Sequence, residues 1–239
     1  MYKRVLLKLS GEALASLDPP PNKCHGLHQG MLEKVASDIK AVYKTGVQIS
    51  LVVGGGNIYR GLQGMNGGLD RSTSDHMGML ATVINGLAVQ NAIEQTGVPC
   101  RLMSSIPMPT LCESYSRRRA VHHLDNNRVV VFAGGTGNPY FTTDTAAALR
   151  ASEMDCDLLL KATKVPGVFC SDPAKNAQAQ IFKTLTYKEV LEKKLKIMDA
   201  TAIALIQDSH IPIAVFSIYN TNGFAQVLNG QGQFTLITS

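Results

Sequence analysis

The sequence predicts an α/β protein, a three-layer αβα sandwich with a mainly parallel central sheet. Two observations carry that expectation. Short apolar runs rich in β-branched residues recur at Arg4 to Leu9, Gln48 to Val53, Arg101 to Ser104, Arg128 to Ala133, Asp157 to Lys161 and Ile213 to Ser217. They show little polar alternation, so each reads as a strand covered on both faces. Between several of them the apolar residues recur at helical spacing, and such alternation implies parallel strands joined by crossover helices.

The elements follow in order. The chain runs from Met1-Tyr2-Lys3 straight into the first strand. Ser16 to Gly30, with Pro19, Pro20 and Pro21, reads as an exposed loop and a candidate flap. Met31, Val35, Ile39 and Val42 then mark one helix, and Met77, Leu80, Ala81, Ile84, Leu87 and Ala88 mark another. Ser114 to Leu124 reads as a short helix carrying Arg117, Arg118 and Arg119 on a solvated or subunit-contacting face. From Thr163 the strands become shorter and hairpin-like, which suggests a second lobe sharing the same sheet. No repeat or linker divides the chain, so residues 1–239 read as a single domain.

Composition narrows the classes. At 45% hydrophobic and 17% charged residues the chain is far from disordered sequence. Its net charge of +5 is modest and dispersed, which suits anionic small molecules. No zinc-finger spacing or aromatic RNA-binding signature supports nucleic-acid binding. Five cysteines, Cys24, Cys100, Cys112, Cys156 and Cys170, are scattered without C-x-x-C spacing and suit a reducing compartment. There is no secretory h-region and no long apolar span, so a soluble, cytoplasmic protein with no membrane partner is expected.

Ligands in parallel sheets bind beyond the carboxyl ends of the strands. Lys8-Leu9-Ser10-Gly11-Glu12 ends a strand on a small turn whose N–H groups can face a phosphate beside the Lys8 charge. A lysine snorkelling to water beside an ordinary turn is the alternative. Gly54-Gly55-Gly56-Asn57-Ile58-Tyr59-Arg60 follows the second run; its glycines let a ligand approach the backbone, and Arg60 can fork onto phosphate oxygens. Gly134-Gly135-Thr136-Gly137-Asn138-Pro139-Tyr140-Phe141-Thr142-Thr143-Asp144 offers hydroxyls and amides, with Thr143 a plausible helix cap and Asp144 in the first turn. A purely structural Asp144 competes, since a carboxylate there stabilises a helix by about 0.3–1 kcal/mol. Lys161-Ala162-Thr163-Lys164, Phe169 and Asp172 supply cations, an aromatic ring and an acid that suit a purine nucleotide, or else a charged hairpin. No G-x-x-x-x-G-K-S/T and no G-x-G-x-x-G after a strand is present, which excludes P-loop kinases and makes a dinucleotide dehydrogenase a poor fit. The adjacent His122 and His123 face apart on a helix and cannot ligate as a pair.

Taken together, Lys8-Leu9-Ser10-Gly11-Glu12-Ala13, the triple glycine with Arg60, Asp75-His76-Met77-Gly78-Met79-Leu80-Ala81-Thr82, Gly135-Thr136-Gly137-Asn138-Pro139, Lys161-Ala162-Thr163-Lys164 and Gly167-Val168-Phe169 resemble the bacterial UMP kinases of the amino-acid kinase superfamily. The similarity extends from about Tyr2 to Thr238. It implies ATP and UMP bound end to end over the strand ends of a homohexamer, with Mg²⁺ carried by ATP rather than by protein ligands. Lys8, Ser10 and Gly11 would meet the ATP phosphates, with Leu9, Gly56 and Arg60 also near ATP, and Thr163, Phe169 and Asp172 would hold its nucleoside. Gly55, Asp75, Thr136, Gly137, Asn138, Pro139, Tyr140, Phe141, Thr142 and Thr143 would hold UMP. The lobe of about residues 1–160 would carry the UMP site and oligomer contacts, and the lobe of about 161–239 the ATP nucleoside.

A phosphate monoester with a second pKa of about 6 is already mostly dianionic at neutral pH and needs no general base. Catalysis then rests on cations that bring two polyanions into line, namely Lys8, Arg60 and Lys161, with Asp144 positioning a lysine or a magnesium-bound water. Two departures matter. Gln90 and Glu94 stand where GTP-activated relatives carry arginine and histidine, although Arg101 and Arg128 remain, so a triphosphate effector should be repelled. The loop from Ser16 to Gly30 is also longer and richer in proline. Rival readings are a carboxylate or carbamate kinase of the same superfamily and a nucleotide-binding protein without turnover.

Overall fold

The computed structural model describes residues 2–15, 26–60, 68–173, 176, 178–195 and 197–239. Among these, nine strands form one sheet: β1 (Arg4–Leu9), β2 (Gln48–Val53), β3 (Cys100–Ser104), β4 (Glu113–Ser114), β5 (Val129–Ala133), β6 (Leu158–Thr163), β7 (Thr184–Thr186), β8 (Ile213–Ser217) and β9 (Phe234–Thr238). Seven α-helices accompany them: α1 (Gln29–Tyr43), α2 (Arg71–Gln95), α3 (Arg117–Asp125), α4 (Thr143–Glu153), α5 (Tyr187–Glu192), α6 (Ala200–Asp208) and α7 (Gly223–Leu228). The strand order is β4-β3-β5-β2-β1-β6-β8-β9-β7, and every pairing is parallel except β8 with β9.

Strand alternation builds two cores. Val5, Leu7 and Leu9 of β1 face α1, α2 and α7, while Leu6 of the same strand faces α3 to α6. This is the expected αβα sandwich. Both halves of the chain contribute to the one sheet; β8 and β9 pair antiparallel but are joined through α7, not as a hairpin, and the hairpin-like feature after Thr163 is the antiparallel bridge of Phe169 with Ile181. β1 lies where the strand order reverses, with β2 on one side and β6 on the other. A crevice therefore opens at its carboxyl end.

Several expectations need correction. The loop was placed at Ser16 to Gly30, but Gln29 and Gly30 already belong to α1; residues 16–25 lie outside the described residues. The sequence also missed β9 and the short β4 and β7, of two and three residues, which are held by pairing with neighbouring strands. The larger correction concerns α2. Met77, Leu80 and Ile84 are exposed, whereas Met79, Val83, Val89 and Ile93 face the core. A helix apolar on both sides gives no hydrophobic direction, so periodicity could not say which side meets the sheet.

Candidate active site

Lys8 and Lys161 are register partners on β1 and β6, and both extend from the sheet face that carries Leu6 and Leu159. The N-terminus of α4 lies over them. Its cap is Thr142, whose hydroxyl accepts from the N–H groups of Asp144 (3.1 Å) and Thr145 (3.2 Å). Thr143, the cap expected from sequence, is the first helical residue instead.

Asp144 reaches down from that first turn. Its Oδ1 lies 2.8 Å from Lys8 Nζ and its Oδ2 accepts from Lys161 Nζ at 2.7 Å. Lys161 also donates to the carbonyl of Ile197. Burial alone would raise the Asp144 carboxyl, but the two ammonium groups outweigh it and hold it below the ordinary 3.8. Burial lowers the Lys161 ammonium, and Asp144 offsets that only in part. Two buried cations thus share the Asp144 carboxylate, and the Asp199 carboxylate also acts on Lys161. Asp144 is engaged by both lysines, which suits a positioning role and not proton abstraction.

The turns after β1 and β2 interlock. A Cβ on Gly11 would lie 2.6 Å from Gly56 N and from Asn57 Oδ1, and a Cβ on Gly55 would lie 2.7 Å from Gly78 O. These glycines are required by close packing of backbone on backbone. Gly56 differs, because the nearest atom to its Cβ position is Glu12 Cγ at 3.6 Å. It is therefore the member of the triplet that leaves room for a ligand. Beneath it, the buried Asn85 donates to Gly54 O at 2.6 Å and exchanges amide bonds with Asn57. The Leu9 side chain belongs to the core, so only its backbone can serve a ligand; its carbonyl already accepts from Gly54 N at 2.8 Å.

Glu12, in the 3-10 turn Gly11–Ala15, connects that turn to two loops. It pairs with Lys164 at 2.7 Å through one oxygen and with the Arg60 guanidinium through the other. Burial raises its carboxyl, and the two cations overcome that to leave it below the ordinary 4.5. Ser10 stands between this cluster and Lys8 in the chain, its carbonyl accepting from Ala13 N at 3.0 Å.

A second cleft, of about 200 Å³, is lined by Gly55, Asp75, Met79, Gly135, Phe141 and Thr143 among others. Asp75 Oδ2 accepts from Tyr140 N and from Arg71 Nε, both at 2.7 Å, and the Arg71 guanidinium lies 5.3 Å from the Tyr140 ring centroid. Tyr140 has a φ of 72°, a left-handed conformation that non-glycine residues adopt only when held there. Thr136 Oγ1 accepts from Asn138 N at 3.2 Å, and Gly137 (φ 89°) and Pro139 complete that turn. Of the residues expected at the acceptor, Gly55, Asp75, Phe141 and Thr143 line this cleft and Tyr140 contacts Asp75, whereas Thr136, Gly137, Asn138, Pro139 and Thr142 are not in its lining.

The nucleoside residues are more dispersed. Thr163 Oγ1 closes a turn on Val165, Phe169 bridges Ile181, and Asp172 is exposed. None of the three lines the cleft of about 470 Å³ that opens beside Asp144 and Lys161, whose apolar wall includes Val190, Leu195, Ile197, Met198 and Ile203. That wall went unnoticed in the sequence, because its residues read as ordinary helix and turn. Asp199 was also missed. It caps α6 through Ala202 N at 3.0 Å and accepts the hydroxyls of Thr142 and Thr145, tying α6 to the start of α4. An acid before a helix signals a cap, and nothing in sequence shows what else it touches.

No cluster of three His, Cys, Asp or Glu side chains suited to a metal ion occurs among the described residues. Mg²⁺ keeps several waters and binds through one or two carboxylates together with phosphates. Asp144 Oδ1 is buried, lacks an aligned hydrogen-bond donor, and suits a water on such an ion. The residues therefore fit a metal brought in by a nucleotide.

A doubly covered parallel sheet, with cations and glycine turns at its switch point and no P-loop, defines a class of phosphoryl-transfer enzymes. The chain belongs to the amino acid kinase family, whose model matches residues 3–217. It is 52% identical over 236 residues to the uridylate kinase of Cereibacter sphaeroides, covering 99% of this chain and 94% of the relative. It is 50% identical over 236 residues to that of Rickettsia prowazekii, covering 99% and 96%. Its structure is similar to that of UMP kinase from Ureaplasma parvum, with a TM-score of 0.93, 35% identity and full coverage of both chains. Against UMP kinase from Bacillus anthracis the TM-score is 0.93 at 39% identity, covering 99% of this chain and 96% of that one.

Proposed function

We propose that this protein is a UMP kinase, transferring the γ-phosphoryl group of ATP to the phosphate of UMP in pyrimidine nucleotide biosynthesis. The observation that carries the reading is the buried Lys8, Asp144 and Lys161 set: Asp144 and Lys161 line the apolar-walled cleft, and Thr143, next to Asp144 in the chain, lines the Asp75 cleft.

ATP enters with its phosphates over Lys8, Ser10, Gly11 and Gly56, and Arg60 closes on them from the rim. Its nucleoside lies toward the C-terminal lobe, with Thr163, Phe169 and Asp172 at its edge and the Leu195 to Met198 wall against the base. UMP occupies the cleft between Asp75 and residues 136–143, its ribose hydroxyls meeting the Asp75 carboxylate. The acceptor phosphate is dianionic, so the chain supplies charge and alignment. Lys8 and Lys161 stabilise the charge that gathers on the transferring group, and Asp144 holds both ammonium groups in place. Mg²⁺ carried by ATP would supply positive charge to the phosphate oxygens, and Asp144 is the residue that would position one of its waters.

The exposed Met77, Leu80 and Ile84 stripe supports assembly through α2, and a cytoplasmic homohexamer is the form we infer. No helix among the described residues is long and apolar enough to cross a membrane. Glu94 lies 3.4 Å from Arg101, and this pairing opposes activation by GTP. The test is ADP release with Mg-ATP and, separately, UMP, CMP, acetylglutamate, aspartate or carbamate. Turnover with UMP alone bears the proposal out, turnover with a carboxylate or carbamate replaces the acceptor, and nucleotide binding without turnover replaces catalysis with storage or sensing.

A further inference from the structure

The glycine loop after β5 is held from two sides. From α2, Thr82 Oγ1 accepts the N–H of Gly134 at 2.7 Å. From the segment after β3, Ser105 Oγ donates to the carbonyl of Gly135 at 2.9 Å. Ser105 is itself secured, for its N–H donates to Ala133 O at 3.1 Å and its Oγ accepts from Arg150 Nη2 at 2.9 Å.

Arg150 comes from α4, the helix whose first turn carries Asp144, and it is 3% exposed. Its guanidinium lies 3.6 Å from the Tyr115 ring centroid, Nη1 pairs with Glu153, and the buried Nε has no hydrogen-bond partner. Filling the space does not require such a residue. An apolar side chain would avoid desolvating a charge and leaving a donor unmet. What arginine adds is direction. With Arg150 donating to Ser105 Oγ, the single hydroxyl hydrogen is turned onto Gly135 O. Because a trans peptide sets its C=O and N–H on opposite sides, this turns the Thr136 N–H away from Ser105. That N–H donates no hydrogen bond among the described residues, and Gly135 lines the cleft assigned to the acceptor.

We infer that Arg150 and Ser105 are positioning residues for the acceptor nucleotide, acting through the Gly135–Thr136 peptide to fix which of its polar atoms UMP meets. The inference rests on the UMP reading above. Neither side chain touches the reacting phosphates; one orients the hydroxyl and the other orients the peptide.

Ser105→Ala removes the hydroxyl with little change in volume or charge. We expect KM for UMP, and its Kd by calorimetry, to rise roughly three- to tenfold, with kcat and KM for ATP within about twofold of wild type. Arg150→Lys, which keeps a charge beside Glu153 and loses the fork, should act in the same direction. The double variant should be no worse than Arg150→Lys alone, since both act through one path. Wild-type UMP affinity in Ser105→Ala overturns the inference, whatever happens to its melting temperature, and this variant decides alone should Arg150→Lys fail to fold. Were wild-type enzyme to prefer another acceptor, KM for that acceptor would be read: a rise retains the positioning role and removes only the UMP reading, and no rise removes the role.

Discussion

Two charge clusters stand side by side at the strand ends and are built differently. Lys8, Asp144 and Lys161 sit on two strands and a helix start, with side chains only 9%, 17% and 12% exposed. Glu12 sits in the 3-10 turn after β1, Arg60 and Lys164 sit on loops, and the Arg60 side chain is 53% exposed. Similar residue types therefore act in different media. Charge effects strengthen as water is excluded, whereas exposed pairs are weakened by solvent and salt. The buried set should govern the chemical step, and the rim should gather and release the nucleotide.

The largest effect should come from Asp144→Asn. It leaves two buried ammonium groups without their shared anion, and kcat should fall by about a hundred- to a thousandfold. Loss of one partner from a buried pair costs about 3–5 kcal/mol, so unfolding in denaturant should shift to lower concentration as well. Unchanged kcat and stability together would erase the contrast. Lys8→Ala should follow, depressing kcat by about a hundredfold while KM for UMP stays within about threefold. A variant with wild-type kcat would remove Lys8 from the transfer step.

Asp75→Asn should act on the acceptor alone, raising KM for UMP by roughly tenfold through weaker bonds to ribose and to Tyr140 N. An unchanged KM takes Asp75 out of the site. At the rim, Arg60→Ala and Glu12→Gln should each change KM for ATP by only about two- to fivefold, and the change should shrink further in high salt. If either matched Lys8→Ala in kcat, the rim would belong to the chemical machinery and the comparison would fail.

The pH dependence sharpens the same contrast with the smallest signal. Asp144 has a folded pKa below 3.8, so it contributes stability that is complete above that value and is lost as pH falls through the lower folded value. The unfolded chain binds the extra proton there, which gives stability a positive slope with pH. Lys161 is also lowered, so stability should rise again as pH climbs from its folded value toward 10.5. Denaturant titrations of wild type and Asp144→Asn across the acid range check this, and equal slopes would mean that Asp144 is not held by its lysines.

Legibility in the sequence tracked burial and locality. The six apolar runs, the helix of Met31, Val35, Ile39 and Val42, and the three glycine junctions could be read because a strand, a helical period and a turn are each short-range patterns. Boundaries shifted by one or two residues, as with Cys100 for Arg101 and Thr163 for Lys161. Met77, Leu80 and Ile84 were misassigned because both faces of α2 are apolar, and Thr142 was passed over for Thr143 because neighbouring threonines look alike until helical φ and ψ begin. Asn85 and Arg150 carried no signal of their own, and Asp199 signalled only a cap, because the partners that matter, Asn57, Ser105 and Thr142, lie on other segments of the chain.

The sequence by itself determined the αβα class, the family, and the set of cations, glycines and carboxylates that end up near the strand termini, because periodicity and turn chemistry are local. Only the tertiary structure decided which of those charges are buried, that Gly11 and Gly55 serve backbone packing while Gly56 has only ordinary contact with Glu12, and that one aspartate holds two lysines from neighbouring strands. Those outcomes depend on desolvation and on distances between separate segments of the chain, quantities that come into being when the sheet closes around β1.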